Sequence, residues 1–128
     1  MPESERVRRG AVLLVYYSPK SRRSLERVIL GQDLEVVAID GRAPDSADLV
    51  PPRGTAVVVV DGGASDINVG QAVRQLGRLL PRSHIIAAYP NRPSVEVFRG
   101  GHRIADLPSL EAAILGYVRE DLGKHREG

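Results

Sequence analysis

The chain of 128 residues contains no cysteine. Disulfides, thiolate metal sites, a cysteine nucleophile and thiol redox chemistry are thereby excluded. Tryptophan is absent too, and the aromatic set is Tyr16, Tyr17, Tyr89, Tyr117 and Phe98. That is a thin supply for the stacking platforms with which proteins hold single-stranded nucleic acid. No charge of one sign dominates: 18 Lys and Arg against 16 Asp and Glu leave +2. The bases are scattered, with small clusters at Arg6, Arg8, Arg9 and at Arg22, Arg23. Without a basic stripe, nucleic acid is not an expected partner. No apolar run approaches the ~18 residues of a membrane span. The opening Met-Pro-Glu-Ser-Glu-Arg lacks the apolar stretch of a signal peptide. These absences lead to the expectation of a cytoplasmic domain with no membrane partner.

What is present is a 42% apolar chain of single-domain length. Strand and helix signals alternate along it. Residues 11–17 (AVLLVYY) are an apolar, β-rich run. Ser18-Pro19 then supplies a capping hydroxyl and a proline tolerated at the first helical position. Leu25, Val28 and Ile29 share one face of the helix that follows, and Gly31 ends it. Residues 34–39 (LEVVAI) read as a second strand. The stretch 40–54 holds three prolines and room for one short helix near 45–50. Residues 56–60 (AVVVV) lack polar alternation, the signature of a central parallel strand covered on both faces. Residues 66–80 read as a helix with Ile67, Val73, Leu76 and Leu80 inward, stopped by Pro81. Residues 84–88 (HIIAA) form a fourth strand, and 103–107 a short fifth. Residues 110–122 are the clearest helix, with Leu110, Ala113, Ile114, Tyr117 and Val118 on one stripe.

Such alternation implies βαβ units, a parallel sheet and helices on both faces. Functional residues then lie just beyond the carboxyl ends of the strands. Those residues are Tyr16, Tyr17 and Ser18-Pro19 after the first strand, Asp61 and Gly62-Gly63 after the third, Tyr89 after the fourth, and Leu107-Pro108 after the fifth.

With these residues in place, residues 10–122 resemble the receiver domain of bacterial two-component response regulators. The segments AVLLVYYSPKSRRSLERVIL, DLVPPRGTAVVVVD and FRGGHRIADLPSLEAAILGYV carry the likeness. The resemblance implies a three-layer α/β/α fold with a five-stranded parallel sheet in order 2-1-3-4-5, and polar tails at 1–9 and 123–128. It also implies a phospho-acceptor at Asp61. The other positions of the active pattern are replaced. The Mg²⁺-binding acidic pair is Tyr16 and Tyr17, the sensing Thr or Ser is Tyr89 (or Ala88), and the Lys is Leu107. The loop after Asp61, GGASDINVG, lacks the family's usual Met-Pro. Mg²⁺ needs oxygen ligands, chiefly carboxylate and water, and phosphoryl transfer needs metal and cationic groups to neutralise charge. With the acids and the Lys gone, the implied protein is a pseudo-receiver: no enzyme, no metal, no cofactor. It would work in signal transduction by protein–protein contact, with a signalling partner or with itself. In the resembled family the surface of the fourth helix, fifth strand and fifth helix makes such contacts. Its candidates here are Tyr89, Arg92, Phe98, Arg99, Arg103, Asp106, Leu110, Tyr117 and Arg119.

Plainer readings stand beside these. Asp61 can cap the turn after its strand. Tyr16 and Tyr17 can be core filler, and at least one of them is expected to contact the Asp61 side chain. Gly62-Gly63 reads as a tight turn, because no phosphate-loop motif surrounds it. His84, His102 and His125 lack metal spacing. Three alternatives remain open: a degenerate regulator still phosphorylated at Asp61, a small-molecule sensor using the vacated pocket, and a thioredoxin-like adaptor without cysteines. The last arises because VEVFR and HRIAD flank Gly100-Gly101, a hairpin pattern, and a hairpin before a terminal helix resembles the end of a thioredoxin-like domain.

Overall fold

The apolar run at the start of the chain forms β1 (Ala11–Tyr16) in the computed structural model, which describes residues 11–32, 34–42, 57–63, 68–89 and 91–117. Then follow α1 (Pro19–Leu30), β2 (Glu35–Asp40), β3 (Val57–Asp61), α2 (Val69–Leu79), β4 (His84–Ala88), β5 (Val95–Arg99) and β6 (His102–Leu107). A last helix, α3, occupies residues 110–117. Each helix starts on a side-chain cap. The Ser18 hydroxyl accepts from the Ser21 N–H (3.2 Å) and the Asn68 carbonyl from that of Gln71 (3.0 Å). The Ser109 hydroxyl accepts from the Ala112 N–H (3.1 Å). Such caps contribute ~1 kcal/mol apiece by satisfying helix-end donors.

One mixed sheet runs β2-β1-β3-β4-β5-β6. β2, β1, β3 and β4 are mutually parallel, in the expected order. β3 is central, and Val57, Val58, Val59 and Val60 are all inaccessible to solvent. Burying each contributes roughly 1.5–3 kcal/mol. Alternation divides the core in two. Val12, Leu14, Val57, Val59 and Ile86 pack against Ile29 of α1 and against Leu110, Ala113 and Ile114 of α3. Leu13, Val15, Val58, Val60 and Ile85 pack on the other face against Val73 and Leu76 of α2.

The expectation of five parallel strands is corrected here. Residues 94–101, ambiguous in the sequence and the place where the receiver resemblance needs a short fourth helix, hold strand β5, which runs antiparallel to β4. The expected fifth strand is the sixth, β6, antiparallel to β5. Gly100 and Gly101 have φ of 59° and 86°, the left-handed values that a two-residue type I′ hairpin turn requires. Period-two burial completes the reason: Val95 and Val97 point into one core, while Glu96 and Phe98 face the other way. A glycine pair at that spacing breaks a helix and closes a hairpin. Smaller differences are local. β2 lies one residue later than read, and α2 begins at Val69 with Asn68 as its cap. The helix near 45–50, Asp66, Ile67, Val118, Arg119 and both tails lie outside the described residues.

α2 meets the hairpin at one close approach. Gly77 is buried, and a Cβ there would lie 2.7 Å from the Gly101 backbone nitrogen. The helix can rest on the turn because residue 77 has no side chain.

Candidate functional site at the carboxyl edge

β1, β3 and β4 end side by side, so Tyr16-Tyr17, Asp61-Gly62-Gly63 and Ala88-Tyr89 form one edge. Asp61 is its centre and is 1% exposed. Both carboxylate oxygens accept backbone hydrogen bonds, Oδ2 from the Tyr17 N–H (3.2 Å) and Oδ1 from the Gly63 N–H (2.8 Å). The Gly62 N–H donates to the Ala88 carbonyl (2.7 Å). Asp61 thus ties the end of β1 to the turn after β3, and Gly62 ties that turn to β4.

The two tyrosines diverge. Tyr16 sits on the α1 side, where its hydroxyl accepts from Arg22 (3.4 Å) and the guanidinium lies 5.0 Å from the ring centroid. Tyr17 packs with the α2-side core, its ring where a side chain on Gly41 would have to go. Burial raises the Tyr17 pKa, the Asp61 charge raises it further, and Arg42 opposes. Arg42 donates through Nε to the Tyr17 carbonyl (2.8 Å). Tyr17 bonds Asp61 through its backbone N–H and not through a phenol as expected; the Asp61 charge still bears on the Tyr17 phenol.

Tyr89 lies over Gly62, where a Cβ would come within 2.7 Å of its ring. Its hydroxyl donates to Glu96 Oε1 (2.6 Å), and the Arg92 guanidinium stacks 4.3 Å from its ring centroid. Glu96 also accepts from Arg92 (3.2 Å) and Arg103 (3.3 Å), and Arg103 reaches Asp106 (3.6 Å). Burial first, then the Glu96 bond and charge, push the Tyr89 pKa up to about 12. The Tyr89 bond holds the Glu96 carboxyl low against burial, with Arg103 and Arg92 assisting.

The remaining sequence candidates are dispersed. Tyr89, Arg92, Arg103 and Asp106 join one polar network around Glu96. Phe98 is half-buried in the α2-side core, and Arg99 is exposed. Leu110 is buried, and Tyr117 stacks on His84 at 4.1 Å between centroids. Leu107 ends β6, three strand spacings from β3, about 14 Å; the antiparallel β5 stands between. Among the described residues no three His, Asp or Glu side chains converge as metal ligands, and no helix is long and apolar enough to cross a membrane.

No family model, curated protein or solved structure matches this chain. The site therefore rests on its own geometry. Sequence reasoning missed Glu96, the hub of the network. Its signal was its place between Val95 and Val97, which puts it on the opposite face of a hairpin strand.

Proposed function

We propose that this chain is a phosphorylation-independent interaction domain of the pseudo-receiver kind, a signalling adaptor of the cytoplasm that acts by protein–protein contact. The observation that carries the reading is the state of Asp61. Both of its oxygens are engaged by backbone donors and it is 1% exposed. A phospho-acceptor must present a free oxygen to the phosphodonor beside a metal. On this reading Tyr16 and Tyr17 replace the acidic pair that would supply that metal's ligands. The parallel order β2-β1-β3-β4 is compatible with a receiver-derived half. The network of Tyr89, Arg92, Glu96, Arg103 and Asp106 is the proposed contact surface, because it combines a partly exposed aromatic with arginines, residue types enriched at interfaces.

The hairpin favours a second reading, a thioredoxin-like adaptor, since a β5–β6 hairpin followed by α3 is the ending that resemblance implies. Both readings describe a binding module without redox or phosphoryl chemistry. The discriminating experiment is treatment with acetyl phosphate and Mg²⁺ followed by intact-mass spectrometry, beside a partner pull-down. The expected result is no adduct and unchanged capture. An adduct lost in Asp61→Asn would replace this proposal with a working phospho-acceptor.

A further inference from the structure

Residues 67–95 contain no Asp or Glu, yet include Arg74, Arg78, Arg82 and Arg92. Three of these stand on or just beyond α2. Its buried side is Val73, Leu76 and Gly77. Gln71, Arg74, Gln75 and Arg78 fall on the opposite side at helical spacing, all exposed, and they line a depression of about 230 Å³. Arg82 follows in the exposed turn after the helix. Among the described residues Arg74, Arg78 and Arg82 form no ion pair, whereas Arg22, Arg92 and Arg103 each meet a carboxylate. Leu79, next to Arg78 and one turn beyond Gln75, is 54% exposed.

We propose that this α2 row docks an acidic amphipathic segment of a partner protein. The chemistry runs from the residues. Two guanidinium forks one helical turn apart suit two carboxylates at the same spacing on a facing helix, and forked pairing is the strong form of such contact. Gln71 and Gln75 add neutral donors and acceptors between the charges. Leu79 supplies an apolar contact at the margin, which a phosphate backbone would leave unused. The row carries no aromatic ring, so the stacking that holds single-stranded nucleic acid has no platform here. The surface is separate from the Glu96 network and does not depend on any role of Asp61.

α1 provides the internal control. It carries Arg23 and Arg27 at the same spacing, but Glu26 lies between them and holds Arg22. The test uses the full chain and three probes: a 20-residue amphipathic helical peptide of Glu and Leu, the same peptide with Gln for Glu, and a single-stranded 20-mer oligonucleotide. Binding is followed by amide chemical shifts and by anisotropy. The Glu–Leu peptide is expected to move the amides of Gln71, Arg74, Gln75, Arg78 and Leu79. The Arg74→Glu/Arg78→Glu variant should weaken it about tenfold, and Arg23→Glu/Arg27→Glu less than twofold. Equal loss in both variants would reduce the effect to net charge and overturn the proposal. So would shifts confined to other surfaces, equal binding of the Gln peptide, tighter binding of the oligonucleotide, or no binding of the acidic peptide. All four substitutions are at exposed positions, and thermal melts of each variant confirm that folding is retained.

Discussion

Asp61→Ala isolates what the buried carboxylate contributes. The substitution removes both acceptors at once, leaving the N–H groups of Tyr17 and Gly63 without their 3.2 Å and 2.8 Å partners. An unsatisfied buried donor costs about 1–3 kcal/mol. These two sites are partly buried, so the sum is about 2–4 kcal/mol. For a domain of this size each kcal/mol moves the midpoint by roughly 3–5 °C, so thermal unfolding should fall by about 10 °C. Asp61→Asn retains one carbonyl acceptor but turns an amide donor toward the other N–H, and should cost about half as much. Circular dichroism melts and urea titrations measure both. A change below about 0.5 kcal/mol in Asp61→Ala, or a gain in stability, would refute the bracing role. It would instead suggest a carboxylate kept for function at the expense of stability.

Gly77→Ala should destabilise by about 1–3 kcal/mol, although alanine is the better helix former by ~1 kcal/mol, because its Cβ would meet the hairpin backbone 2.7 Å away; urea titration reads the sign. Gly101→Val should cost about 1–3 kcal/mol through its φ of 86°, and should loosen amide-exchange protection in β5 and β6 first. Tyr89 should ionise near pH 12 by ultraviolet difference absorbance. A raised folded pKa gives stability that is present below the free phenol value of ~10 and lost as pH rises through the folded one, so Tyr89→Phe should flatten the alkaline decline. Glu96, held low, acts in the opposite sense: its contribution is present above the ordinary carboxylate pKa and is lost as pH falls below it, and Glu96→Gln should lessen the acid decline.

Local chemistry in the chain was sufficient for much of this molecule. The buried valines of β3, the Ser18-Pro19 helix start and the period of α3 state their own secondary structure, because periodicity and capping are short-range effects. That β2, β1, β3 and β4 run parallel followed from βα alternation, whereas their order was what the receiver resemblance implied. Even the hairpin was legible, in Gly100-Gly101 and the alternation of residues 95–99. The receiver likeness favoured a helix there, and local turn chemistry prevailed over it. Tertiary structure decided the rest. That Asp61 spends both oxygens on the backbone of Tyr17 and Gly63 depends on how β1 and β3 end, 44 residues apart in sequence. Tyr16 and Tyr17 part company because successive residues leave a strand on opposite faces. Glu96 gathers Tyr89, Arg92 and Arg103 only once β5 folds back along β4 and β6 along β5. Hydrogen bonds and ion pairs act over a few ångströms, so the partners of a side chain emerge only when the sheet has set which strands are neighbours.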